Sequence, residues 1–149
     1  MAPSDLTQFS TLALRDHGLV VVTTLRSDAT MQASVVNAGV VEHPITGAAA
    51  VAFVAQGGSR KLANLRVRPR ATIVARASWE WIAAEGVAEI IGPDDPAAGI
   101  DAEALRLLLR AVFTAAGGTH DDWPTYDRVM ADDRRAAVII PPERVYSNG

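Results

Sequence analysis

The chain has 149 residues, 49% of them hydrophobic and 21% charged, with a net charge of −3. That length suits one domain around a single core, and the small negative charge offers no basic field to draw in nucleic acid or an anionic membrane. The absence of cysteine excludes disulfides, thiolate metal sites and cysteine nucleophiles together. No apolar run is long enough to span a bilayer. Met1-Ala2-Pro3-Ser4-Asp5 lacks the basic-then-apolar order of a secretion signal, so a soluble cytoplasmic protein is expected.

Ser4 or Asp5 caps a first helix carrying Leu6, Phe9, Leu12 and Ala13 at helical spacing and ending near His17-Gly18. The β-branched run Leu19 to Leu25 reads as a strand. Arg26 to Thr30 turns it into a second strand, Met31 to Val41. His43-Pro44-Ile45-Thr46-Gly47 breaks that strand, Ala49 to Ala55 forms a third, and Gln56-Gly57-Gly58 ends it. Ser59 to Arg68 is helical with Ser59 as N-cap and Leu62 and Leu65 inward, until Pro69 stops it. Ala71 to Ala75 is a short strand, and Trp79 to Ile91 alternates as one long strand. After the loop Gly92 to Pro96, Asp101 to Ala116 is a strongly amphipathic helix with Leu105, Leu108, Leu109 and Val112 on its apolar side. A short helix over Trp123 to Ala131 precedes a last strand, Ala136 to Ile140, which Pro141-Pro142 ends. Hairpins with a single short helical crossover favour an antiparallel sheet closed into a barrel. Gly57-Gly58 lacks the spacing of a dinucleotide fingerprint.

Of 14 basic residues, 13 are arginine and only Lys61 is lysine. Either one lysine survived by chance against a coding bias, or a compact three-donor charge is needed there. Five of the 14 lie between Arg60 and Arg70. Arg60, Lys61 and Asn64 fall in the first turn or so of the short helix, where basic charge opposes the helix dipole unless an anion is bound. With free backbone N–H groups and the Ser59 hydroxyl they would form a phosphate cradle. The plain alternative is a solvated amphipathic helix. Arg66, Arg68 and Arg70 suit the helix C-terminus and the surface.

This order of elements, with Gly-Ser-Arg-Lys-x-x-Asn-Leu at residues 58–65, Pro69-Arg70, and Glu85-Gly86 in the long strand, resembles the pyridoxamine 5'-phosphate oxidase-like, FMN-binding split barrels. More narrowly it resembles their deazaflavin-dependent branch, over nearly the whole chain. The resemblance implies a mainly β, α+β fold: a six-stranded antiparallel split β-barrel with flanking helices. It further implies a homodimer with two cofactors in grooves along the subunit interface, coenzyme F420 being favoured over FMN. Ser59, Arg60, Lys61 and Asn64 would hold the cofactor's phosphate. Ser34, Val36 and Asn37 would lie along its ring, and residues Arg76, Ala77 and Trp79 would lie near the ring or the partner subunit.

On that reading the cofactor supplies the chemistry and no side chain need act as a nucleophile. The acceptor would be a conjugated or unsaturated small molecule, such as a bilin, quinone or enone. An FMN-dependent oxidoreductase, or a non-catalytic flavin-, deazaflavin- or haem-binding protein, is the alternative. Trp79 and Trp81 alternate onto one strand face; they suit a core or interface pair, or, for Trp81, a wall of the substrate pocket. His17, His43 and His120 read as surface or capping residues. His120-Asp121-Asp122 is too sparse for a metal site, so no metal is expected.

Overall fold

The computed structural model describes the backbone of residues 3–149 and side chains from Leu6 onward, so the expected cap by the Ser4 or Asp5 side chain lies outside what is described. In chain order the elements are α1 (Pro3–Arg15), β1 (Leu19–Leu25), β2 (Met31–Glu42), β3 (Ala49–Ala55), α2 (Arg60–Val67), β4 (Arg70–Ala77), β5 (Glu80–Val87), β6 (Glu89–Ile91), α3 (Ala102–Ala115), α4 (Trp123–Asp132), β7 (Ala136–Ile140) and β8 (Arg144–Ser147). The strands form an antiparallel sheet in the order β6-β7-β3-β2-β1-β4-β5-β8, which curls into a half-barrel. None of the described helices is long and apolar enough to cross a membrane.

Among the described residues there are eight strands, where six were expected. The run from Trp79 to Ile91 is two strands: β5 pairs with β4, while β6 pairs with β7 on the opposite edge of the sheet. The break is at Ala88, whose N–H is donated to Pro69 O (2.7 Å). The other addition follows Pro141-Pro142. These residues have no N–H to donate and end β7, but Glu143 N then bonds Glu85 O (2.8 Å), and β8 continues along β5.

Strand alternation builds the main core. Val20, Val22 and Thr24 of β1 point inward and are buried, while Leu19 and Val21 face out. Leu6, Phe9, Leu12 and Ala13 of α1 pack into the half-barrel with Phe53, Ile73 and Ile82. A second cluster lies on the other face of β3 and β7, where Leu108, Leu109 and Val112 of α3 cover Ala52, Ala137 and Ile139. The C-terminal end of α3 approaches too closely for side chains beneath it. A Cβ at Gly39 would lie 2.3 Å from Ala115 backbone atoms, and one at Gly18 would lie 2.0 Å from Ala116 O.

The feature that positions the site is a change of partner along β2. Residues Met31 to Asn37 pair with β1, and Ala38 to Glu42 pair with β3. Beyond the Ala38–Phe53 pair the two strands diverge, so β2 from Val35 to Asn37 has an edge unpaired in the sheet, facing the end of β3.

Candidate functional site

That divergence opens a cavity of about 550 Å³. Val35, Val36 and Asn37 form one wall, Val54, Ala55 and Gln56 a second, and Ser59 and Lys61 close one end. Across the opening, α3 and α4 contribute Val112, Phe113, Tyr126 and Met130. An unpaired strand edge offers backbone donors and acceptors to a ligand, and the rest of the lining is mostly apolar.

The end at α2 suits an anion. Ser59 is the N-cap in extended conformation (φ −68°, ψ 152°), yet its hydroxyl caps nothing. The Ser59 Oγ is the one buried side-chain polar atom without a hydrogen bond among the described residues. The Lys61 ammonium makes no hydrogen bond or ion pair among them either. The first-turn N–H groups of α2 lack helical acceptors by geometry, and the helix carries no acidic residue there. Arg135, paired with Asp133 at 3.3 Å, adds a second cationic side chain to the lining. A buried hydroxyl without a partner is costly in an apolar setting. A phosphate oxygen would satisfy it, so the donors present fit a phosphate-bearing group.

The opposite wall is held stiffly. Phe113, His120, Trp123 and Tyr126 form one ring cluster, with Phe113 and Tyr126 centroids 5.0 Å apart, and the Arg110 guanidinium caps Trp123 at 5.0 Å. The Tyr126 hydroxyl donates to Leu109 O (3.1 Å), and burial raises its pKa, so it holds its proton and offers the cavity only its ring. Asp127 accepts from Arg110 and Arg106 and ties α4 to α3. Those bonds, Arg110's foremost, lower its pKa to about 2.

Of the residues singled out in the sequence, Val36, Asn37, Ser59 and Lys61 meet in this cavity. The other residues expected to contact cofactor or substrate do not line it within this chain. Asn64 is buried, and its amide donates to Thr24 Oγ1 (3.0 Å) and Gln32 Oε1 (3.1 Å), pinning α2 to β1 and β2. The Asn37 amide donates to His17 O (3.0 Å), fixing the α1–β1 turn. Arg60 is exposed, and Ser34 lies half-buried two residues before Val36. Arg76 bonds Ser78 O (2.8 Å) at the β4–β5 turn next to Ala77. Trp79, in that turn, is 87% exposed, so it does not pair with Trp81, whose ring meets Tyr146 edge-on.

One histidine departs from the surface reading, while His17 and His120 are exposed as expected. His43 is buried: its Nε2 lies 2.6 Å from Glu89 Oε2, and its Nδ1 accepts from Ile45 and Thr46 N–H, closing the β2–β3 turn. His120 Nδ1 accepts from Asp122 N, and Asp122 caps α4 through Thr125. His17 lines the cavity. Among the described residues no three His, Cys, Asp or Glu side chains gather as a metal site. The wall of Phe113, Tyr126 and Met130 was not found from sequence. Helical periodicity identified its helices but carried no signal that they fold back over β2.

No family model matches the chain, and no curated protein does. Solved structures match in fold. A pyridoxamine 5'-phosphate oxidase-related, FMN-binding protein from Nostoc punctiforme is 12% identical, with a TM-score of 0.67, covering 99% of this chain and 84% of that one. An F420 reductase is 14% identical, with a TM-score of 0.59, covering 86% and 88%. A heme-binding protein from Mycobacterium smegmatis is 20% identical, with a TM-score of 0.66; it covers 100% of this chain, which spans only 55% of its length. At these identities the likeness establishes the fold: this chain shares the split barrel of the pyridoxamine 5'-phosphate oxidase-like proteins.

Proposed function

We propose that the chain is an oxidoreductase that uses coenzyme F420 to deliver hydride to a conjugated or unsaturated small molecule of the bilin, quinone or enone kind. The observation that carries this reading is the unpartnered Ser59 hydroxyl near the unpaired Lys61, at one end of a cavity that also presents the apolar side chains of Val36, Val54, Phe113 and Met130. Ser59, Lys61 and the first-turn N–H groups of α2 would hold the phosphate. The free edge of β2 would meet the polar rim of the ring, and Phe113 and Met130 would keep water from it. When bound, the cofactor supplies the hydride; the chain binds, orients and desolvates. FMN also carries a phosphate and could use the same cradle, whereas haem presents carboxylates and has less need of it. An F420 reductase among the neighbours supports the deazaflavin.

The active form on this reading is a homodimer. In support, the outward face of β1 and β2 is apolar and exposed, with Val21 at 41%, Met31 at 69% and Val35 at 64%. Val35 also lines the cavity, so this face runs into the cavity mouth. The reading is tested by titrating the protein with F420 and with FMN, followed by turnover with reduced cofactor and a panel of acceptors. Micromolar or tighter binding of F420, with FMN weaker, is expected. Preference for FMN would move the reading to the flavin, and binding of neither would contradict it.

A further inference from the structure

Reducing a conjugated double bond takes a proton as well as a hydride, and the cavity holds few groups able to give one. Its titratable side chains are His17, Lys61, Tyr126 and Arg135. The Tyr126 hydroxyl is bonded to Leu109 O and holds its proton more firmly than usual, Arg135 is paired with Asp133, and Lys61 stands at the anion end. The His17 ring has no hydrogen bond or ion pair among the described residues. Imidazole is also the side chain that ordinarily changes charge between about pH 5 and 8.

The backbone gives a second, independent observation. His17 has φ 60°, in the left-handed region where glycine is favoured, two residues past the end of α1 and just before Gly18 at φ 75°. Its carbonyl is held there by the Asn37 amide, from a residue that itself lines the cavity. The turn would form more readily with glycine, so the imidazole stands where the backbone does not ask for it.

We infer that His17 is the general acid of the reaction proposed above, an inference that rests on that reading. The bound cofactor would supply two electrons as hydride to the terminal carbon of the conjugated system. The displaced electron pair moves to the carbon or oxygen at the other end, which forms its new bond to the proton of the His17 imidazolium as that N–H bond breaks. The neutral imidazole is reprotonated from solvent, to which the residue is exposed. Asp16 and Arg15, the latter paired with Glu80, precede it in the chain, and the other cationic side chains of the cavity are Lys61 from α2 and Arg135 from the segment before β7.

The test uses His17→Gly and His17→Gln, with reduced F420 or FMN, whichever binds, and with menadione and 2-cyclohexen-1-one as acceptors. In the wild type, kcat is expected to fall as pH rises, because a general acid must carry its proton to act. Both variants lose at least tenfold in kcat at neutral pH and lose that limb of the profile, while cofactor Kd stays within twofold. The His17→Gly unfolding midpoint is unchanged or higher, and in the wild type the His17 ring proton resonances move when oxidised cofactor is added. Wild-type kcat and an unaltered pH profile in both variants, with cofactor bound, would overturn the assignment alone. Failure of the wild type to bind either cofactor would remove the reading beneath it.

Discussion

Lys61 and Asn64 stand three positions apart at the start of α2, and their surroundings separate them. Asn64 spends both amide hydrogens on Thr24 and Gln32 inside the protein, whereas Lys61 faces the cavity with no partner among the described residues. Asn64→Ala should cost about 1–3 kcal/mol in urea unfolding, because it leaves buried polar partners unmet. Lys61→Ala should leave stability within about 0.5 kcal/mol. Equal unfolding midpoints for the two variants would contradict this division. The lone lysine and the charge at a helix start were legible in the sequence, because both are local. The direction of the Asn64 side chain was not, since it depends on strands 32 and 40 residues away.

At the scale of elements, the cavity depends on the α3–α4 pair staying over β2, and two devices hold it there. One is steric: Gly39 lies against the backbone of Ala115. Gly39→Ala should therefore lower the unfolding midpoint strongly and weaken ligand binding, read by denaturation and titration; an unchanged midpoint would mean α3 is not seated on β2. The other is the ion-pair network at Asp127. Its pKa is about 2 in the folded chain against an ordinary 3.8. Its stabilisation is therefore complete above the unfolded value and drains away as pH falls from about 4 toward 2. Thermal melts across that range should show a steeper loss for the wild type than for Asp127→Asn. Parallel curves would rule the network out as a stabilising tie. The strands β1, β3 and β7 were readable from β-branched runs and breakers. The split of β5 from β6 was not, because alternation continues through Ala88 while the backbone changes partner there. β8 was missed because four half-exposed residues after two prolines carry little apolar pattern.

At the scale of the whole molecule, the curled sheet leaves one outward face of β1 and β2 uncovered and continuous with the cavity. A second copy on that face would bury Val21, Met31 and Val35 and close the cavity mouth. Val35→Lys should shift the protein to monomer by light scattering and weaken cofactor binding with it; a wild type that is monomeric at high concentration would contradict the dimer. The claim on which the account turns is the anion site at the start of α2, and it is tested most directly by titrating Lys61→Ala beside the wild type with the cofactor that the wild type prefers. The account predicts at least a tenfold weakening, about 1.4 kcal/mol, in a variant that unfolds like the wild type. Unchanged affinity in that folded variant would mean that the cavity does not hold its ligand by a phosphate at Lys61.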